Sequence, residues 1–169
     1  MKFDYRGAPQ TVGVMHRAAL DSQGKLVTRR FVEWCCQNVA SKDYLSEYLA
    51  IHNMLQARCR YMRDPRTVEL VRAPYLIFEE IMDGGRPSID CDDFGGAEEA
   101  ALLSVGGQVQ LVTVAFRDAF FAGRRQYSHV FARVKEPRSG TWLVLDPVAA
   151  DKTKDMLSRV TAAAIWPCA

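Results

Sequence analysis

The chain lacks the features that mark a membrane protein or a nucleic-acid-binding protein. None of its hydrophobic runs approaches the ~20 residues that a helix needs to cross a bilayer. Its first ten residues, MKFDYRGAPQ, lack the apolar stretch of a secretion signal. Its 22 basic and 20 acidic residues leave a net charge of only +2, so no strong positive field attracts nucleic acid. We therefore expect a cytoplasmic domain that binds neither membranes nor nucleic acids.

The chain is also poor in histidine, with three residues, and it has no Cys-x-x-Cys spacing. These two shortages give little support to a structural zinc site, and we expect neither a metal nor a cofactor. The cysteines are odd in number and two are adjacent, which suits a reducing compartment better than a disulfide framework. Either all of them are small hydrophobic residues or one carries chemistry. The five are Cys35, Cys36, Cys59, Cys91 and Cys168.

No repeat, low-complexity tract or linker divides the 169 residues, so one domain over 1–169 is predicted. Glycine and proline interrupt residues 1–27, which we interpret as an extended N-terminal arm or hairpin. Residues 28–87 are predicted to form a helical region, with two helices over 28–61 broken near 41–43 and a further helical stretch over 67–82 that is interrupted at Ala73 and Pro74. Residues 88–150 form the core that carries the candidate site, and 151–169 form a C-terminal tail.

The core region combines one helix with a small antiparallel sheet. Asp90 stands at an N-cap position, so Cys91 lies in the first turn of a helix that ends at Gly106 and Gly107. Three strand-like runs rich in valine, leucine and aromatic residues follow, over 109–116, 127–134 and 141–148. Helices followed by a meander of strands predict an α+β fold.

The last two strands bring a histidine and a carboxylate together if they form a hairpin. Pairing of Lys135 with Gly140 around a four-residue loop puts His129 directly opposite Asp146. Opposed residues have Cβ atoms about 4.5–5.5 Å apart, within reach of a hydrogen bond between imidazole and carboxylate. A one-residue slip would separate them onto opposite faces of the sheet. The sequence therefore predicts a pair between His129 and Asp146.

Cys91 is the one cysteine at a predicted helix start, where free N–H groups and the helix dipole favour a thiolate. Gly95, one turn later, indicates close packing of this helix on the sheet that carries His129. Three carboxylates beside the cysteine act in the opposite direction, because like charge raises a thiol pKa. Thiolate chemistry therefore needs a closer, cationic His129 or carboxylates that are turned away to cap N–H groups. Binding of a divalent cation by this cluster is disfavoured, since adjacent helical residues point apart.

Three short motifs in order resemble the transglutaminase-like branch of the papain-like cysteine enzymes. The usual pattern is Gly-Asp-Cys-Asp-Asp, then His-Val, then Leu-Asp-Pro. This chain has SIDCDDF at 88–94, YSHVF at 127–131 and WLVLDP at 142–147. The stretches CRYMRDP at 59–65 and VELVRAP at 68–74 resemble phage- and prophage-encoded members in particular. The resemblance covers about residues 55–150.

The resemblance implies a papain-like core and a triad of Cys91 as nucleophile, His129 as acid and base, and Asp146 as the group that orients the imidazole. The Cys91 backbone N–H would bind the oxyanion, with Tyr61 or Tyr75 as a second donor. The chain differs from the pattern at Ile89, where glycine is usual, so a narrower or differently bent approach to the cysteine is expected.

The expected activity is that of a cysteine hydrolase or acyltransferase on amide bonds, acting through a thioester. Hydrolysis by a peptidase or amidase is favoured over transglutamination, because no motif reveals an amine site. The expected substrate is a protein or peptide, including peptides of peptidoglycan. The expected location is the cytoplasm of a bacterium or a phage-infected host, or the virion. The alternative is an inert phage structural or adaptor protein that keeps the fold without the chemistry.

Overall fold

The computed structural model describes residues 2–3, 8–63, 69–116, 127–146 and 160–168. Five helices are described: α1 (Ala8–Gln23), α2 (Leu26–Cys36), α3 (Tyr44–Arg58), α4 (Pro74–Met82) and α5 (Cys91–Ser104). The strands are β1 (Lys2–Phe3), β2 (Arg60–Tyr61), β3 (Glu69–Leu70), β4 (Ser88–Ile89), β5 (Gln108–Phe116), β6 (His129–Lys135), β7 (Trp142–Leu145) and β8 (Val160–Pro167). The predicted α+β class is confirmed.

The largest sheet has four antiparallel strands in the order β7-β6-β5-β8. Helix α5 packs on β5 and β6 of this sheet, and each of the other four helices contacts α5. Because α5 is surrounded in this way, eleven consecutive residues from Asp92 to Leu102 are buried. Within the described ranges, no helix is both long and apolar enough to cross a membrane.

The predicted N-terminal arm over 1–27 was wrong, because most of this segment is helix α1. Val12, Met15 and Ala19 recur at helical spacing and are buried against the core. A glycine inside a helix costs only about 1 kcal/mol, while burying such side chains returns about 1.5–3 kcal/mol for each large one. Gly13 therefore does not break the helix. Of residues 1–7, only β1 has a described backbone.

The predicted C-terminal tail over 151–169 was also incomplete, because it contains strand β8. Three successive alanines at 162–164 have weak strand propensity, so the segment gives little local signal. Pairing along β5, from Gln110 opposite Pro167 to Phe116 opposite Val160, overrides that weak propensity. Residues 151–159 lie outside the described part of the chain.

The helical region agrees more closely with prediction. The break near 41–43 separates α2 from α3, and the Asp43 side chain accepts the Ser46 N–H at the start of α3. The helical stretch predicted over 67–82 is helix only from Pro74, which occupies a first-turn position where its missing N–H costs nothing. Residues 69–70 form β3 instead, paired with β1.

Gly95 fixes how closely α5 approaches the sheet. A Cβ atom at this position would lie 3.1 Å from the end of Met15, 3.6 Å from Leu111 and 3.9 Å from Val130. We predict that Gly95→Leu lowers the free energy of unfolding by about 1–3 kcal/mol, as expected for overpacking. Denaturant titration measures this. Gly96→Ala, where the nearest contact is an ordinary 3.8 Å to Pro74, is the matched control and should not destabilise. Equal stability of Gly95→Leu and wild type would contradict the close packing.

Candidate active site

Cys91 is the first residue of α5, at the junction between β4 and the helix. The Asp90 side chain caps this helix, accepting the N–H groups of Asp92 at 3.0 Å and Asp93 at 3.2 Å. The predicted N-cap is therefore confirmed. The backbone N–H of Cys91 takes no part in these two hydrogen bonds, and it lies at the positive end of the helix dipole.

His129 and Asp146 form a hydrogen bond of 2.8 Å between Nε2 and Oδ2. Both residues are buried, with 7% of the surface of each exposed. The predicted contact between these two side chains is confirmed. Since Asp146 occupies Nε2, the other ring nitrogen, Nδ1, is available for a second partner.

The predicted register of this hairpin was wrong by two residues, because the residue opposite each position of β6 lies two places further along the chain than predicted. Lys135 pairs with Trp142 rather than with Gly140, and Glu136 donates its N–H to Thr141 at 2.8 Å. The four-residue loop is therefore 137–140, and Gly140 lies within it at a φ of 71°, a left-handed conformation that suits glycine. The combined shift is two residues, so it keeps side chains on their predicted faces. His129 therefore meets Asp146 diagonally rather than directly across the strands.

Cys91 and His129 line the same cavity, which has a volume of about 450 Å³. The imidazole lies near two phenylalanine rings, with centroid distances of 6.4 Å to Phe116 and 5.9 Å to Phe131. A cavity of this size accommodates a small ligand or a short peptide segment. The structure thus brings together the three predicted site residues: two at the cavity and Asp146 behind the imidazole.

Two of the three carboxylates beside Cys91 are turned away from the sulfur. Asp90 caps the helix, and Asp93 accepts the Arg72 N–H at 2.7 Å. Asp92 remains close, with 3.6 Å between its Oδ1 and the Cys91 sulfur, which donates to it. Thiolate chemistry was predicted to need carboxylates that are turned away from the sulfur. Asp90 and Asp93 meet this requirement, and Asp92 does not.

The pKa of the Cys91 thiol is raised well above its ordinary value, first by burial and then by Asp92 and Asp90. A hydrogen bond from the Val130 backbone N–H acts in the opposite direction and lowers this pKa. Burial thus outweighs the helix dipole that was expected to favour the thiolate. At neutral pH the resting sulfur is protonated, so its activation requires a base at the moment of attack.

The Asp92 carboxylate provides a direct test of this electrostatic balance. Asp92→Asn removes a negative charge beside the sulfur, so we expect the pKa of Cys91 to fall and its alkylation by iodoacetamide at neutral pH to become several-fold faster. The pH profile of the alkylation rate, followed by mass spectrometry, should shift toward lower pH. Asp21→Asn, a change at an exposed position, is the control. An unchanged profile in Asp92→Asn would show that this carboxylate does not act on the sulfur.

Of the two tyrosines predicted as oxyanion donors, the structure places only Tyr61 at the cavity. Strand β2 pairs in parallel with β4, with Tyr61 opposite Ile89, and so lies beside the start of α5. The pKa of Tyr61 is raised first by burial and then by the Cys91 sulfur, so the two side chains are close enough to interact electrostatically. Tyr75 lies instead beside Lys25, whose ammonium is 4.6 Å from its ring centroid. Ile89 is buried in the core and does not line the cavity.

Sequence reasoning missed the contribution of α1 to this cavity, because residues 1–27 were interpreted as an arm. The recurrence of Val12, Met15 and Ala19 was the signal that could have found it. Arg63 also lines the cavity and gives it a positive charge. Trp142 stacks on the Arg133 guanidinium, 4.5 Å from its ring centroid, and does not line the cavity. The remaining lining residues are Ala8, Thr11, Val12, Met15, Asp90, Asp92, Thr113, Phe116, Tyr127, Ser128 and Val130.

Comparison of the chain with protein-family models, with curated proteins and with solved structures gives no match in any of the three. The resemblance in the motifs around Cys91, His129 and Asp146 is therefore a hypothesis.

Proposed function

We propose that the protein is a cysteine hydrolase that cleaves amide bonds through a thioester on Cys91. The observation that carries this proposal is the hydrogen bond between Asp146 and Nε2 of His129, in a cavity that Cys91 also lines. It gives a nucleophile, a base and an orienting carboxylate in one place. The motifs that resemble transglutaminase-like enzymes of the papain-like group, including the phage-encoded ones, support the same assignment.

Because the raised pKa keeps the Cys91 sulfur protonated at rest, its attack requires a general base, and His129 takes this role. With its Nε2 proton donated to Asp146, the imidazole accepts the thiol proton at Nδ1 as the sulfur attacks the carbonyl carbon. The new C–S bond places the electron pair of the C=O bond on the carbonyl oxygen. The Cys91 N–H and the Tyr61 hydroxyl stabilise this oxyanion.

Collapse of the tetrahedral intermediate breaks the C–N bond, and His129 returns its proton to the leaving amine. A thioester of Cys91 remains. In the second half-reaction His129 takes a proton from water, whose oxygen attacks the thioester carbon. The C–S bond then breaks, the carboxylic acid leaves, and the sulfur regains its proton. Water suffices for this step, which is why hydrolysis of a protein or peptide is proposed in preference to transfer to an amine.

The proposal is tested by acylation with p-nitrophenyl acetate, a small activated ester. We expect a burst of nitrophenol equal to one acetyl group per chain, followed by slower turnover, with the acetyl group located on Cys91 by mass spectrometry. Cys91→Ala should abolish the burst, whereas Cys36→Ala, at a half-buried thiol outside the cavity, should keep it.

The second candidate function is an inert structural or adaptor role. The observation that favours it is the raised pKa of Cys91, because a buried structural cysteine also has a protonated sulfur. Alkylation by iodoacetamide separates the two. An active triad makes Cys91 the fastest of the five thiols below about pH 7, and equal rates for all five, with no acetyl burst, would establish the inert role.

A further inference from the structure

Helix α5 carries two adjacent glutamates in the middle of the core, each with no surface exposed. Glu98 Oε1 lies 2.5 Å from Nδ1 of His52 on α3, and Glu99 Oε1 lies 2.5 Å from Nδ1 of His16 on α1. Burial of a carboxylate is unfavourable unless the group is well partnered. Within the described residues, the second oxygen of each glutamate is buried without a hydrogen bond, and so is Nε2 of His16. Both pairs therefore retain unused ligand atoms in the core.

A third potential ligand lies beside only one of the two pairs in the described part of the chain. Cys168, the residue after β8, lies beside the second pair, and one ligand atom each from His16, Glu99 and Cys168 lie within 4.8 Å of one another. Cys168 forms no disulfide, and its backbone N–H donates to Val109 at 3.4 Å, which holds it at the end of the sheet. In the described part of the chain, the His52 pair belongs to no such cluster.

We propose that His16, Glu99 and Cys168 form a zinc-binding site that joins α1, α5 and the end of β8. Imidazole nitrogen, carboxylate oxygen and thiolate are the ligands that Zn²⁺ takes in proteins, and the thiolate disfavours Mg²⁺ and Ca²⁺. Tetrahedral zinc, with bonds of about 2.0–2.3 Å, holds its ligand atoms about 3.2–3.8 Å apart. For zinc to bind, the 2.5 Å contact between His16 and Glu99 must lengthen to this range, and the three ligand atoms, which lie within 4.8 Å of one another, must close around the ion.

Zinc at this position compensates the negative charge of one of the two buried glutamates. The ion supplies a positive partner for the buried Glu99 carboxylate and replaces the hydrogen bond between Glu99 and His16. Binding releases the proton of the Cys168 thiol, so it is favoured as pH rises. Three protein ligands leave the fourth tetrahedral position to water. The site is separate from Cys91 and does not rest on the proposed hydrolase activity.

The test uses the full chain, stripped of metal by EDTA and then titrated with zinc chloride. We expect one zinc per chain after gel filtration, and a thiolate charge-transfer band when cobalt chloride replaces zinc. Cys168→Ser and His16→Gln should lose both the bound zinc and the cobalt band. His52→Gln, which removes the histidine of the other buried pair, is the matched control and should keep both.

Cys91→Ala identifies which thiol holds the metal. Zinc and the cobalt band should persist in this variant, because Cys91 is not a ligand. Metal-free Cys168→Ser should unfold at the same temperature as the metal-free wild type, which shows that loss of zinc is not loss of fold. The proposal is overturned if the wild type binds no zinc. It is also overturned if Cys168→Ser keeps the metal while Cys91→Ala loses it.

Discussion

Replacing His129 with alanine is expected to slow the acylation of Cys91 by p-nitrophenyl acetate about 10²- to 10⁴-fold, the usual contribution of a general base. The effect is at the large end because the pKa of Cys91 is raised, so little thiolate exists at neutral pH without help. In the proposed mechanism Nδ1 of His129 accepts the thiol proton, since Asp146 holds Nε2. Stopped-flow measurement of the nitrophenol burst gives the rate.

The other cysteines provide an internal control for this variant. Cys35 and Cys59 have pKa values raised to about 12, mainly by burial, and neither thiol lines the cavity. If His129→Ala acts only through the missing base, alkylation of these two thiols by iodoacetamide stays slow while that of Cys91 falls. Faster alkylation of Cys35 and Cys59 would mean that the core has opened. Undiminished acylation of Cys91 would show that His129 is not the base.

The parts of the site that the sequence predicts are those with local signals. The structure has three features that depend on residues close in the chain. They are Asp90 at an N-cap, Cys91 in the first helical turn, and strands on either side of the loop that contains Pro137 and Gly140. The hairpin register was wrong because Gly140 was taken as a paired residue, whereas its left-handed backbone belongs to the turn. The predicted contact of His129 with Asp146 was nevertheless correct. Strand side chains alternate between faces with a period of two residues, so a two-residue error in register keeps both side chains on the same face.

The parts that the sequence does not predict depend on long-range packing. Strand β8 has weak propensity and exists because β5 offers an edge for pairing. In the sequence the two adjacent glutamates look like part of an exposed polar stretch. Their partners, His16 on α1 and His52 on α3, are distant in the chain and come close only through the packing of these helices on α5. Similarly, Tyr61 rather than Tyr75 lies at the cavity because β2 pairs in parallel with β4, and no local sequence pattern predicts this pairing.

Tyr61→Phe is expected to lower the rate of acylation of Cys91 about 10²- to 10³-fold, as loss of one oxyanion donor does in acyl-transfer enzymes. The phenol lines the cavity, and its pKa is raised, first by burial and then by the neighbouring Cys91 sulfur, which together outweigh the lowering effect of a hydrogen bond with Arg63. The tyrosine thus remains protonated at neutral pH and keeps a proton to donate to the developing negative charge. The burst rate with p-nitrophenyl acetate measures the loss.

Alkylation by iodoacetamide separates this role from that of His129. Displacement of iodide by the sulfur forms no oxyanion, so Tyr61→Phe should leave the alkylation rate of Cys91 unchanged, whereas His129→Ala should lower it. Tyr75→Phe, a matched change outside the cavity, should alter neither reaction. Equal slowing of acylation and alkylation by Tyr61→Phe would assign Tyr61 to the activation of the thiol. The two electrophiles together therefore show whether this cavity stabilises a tetrahedral intermediate or only holds a reactive sulfur.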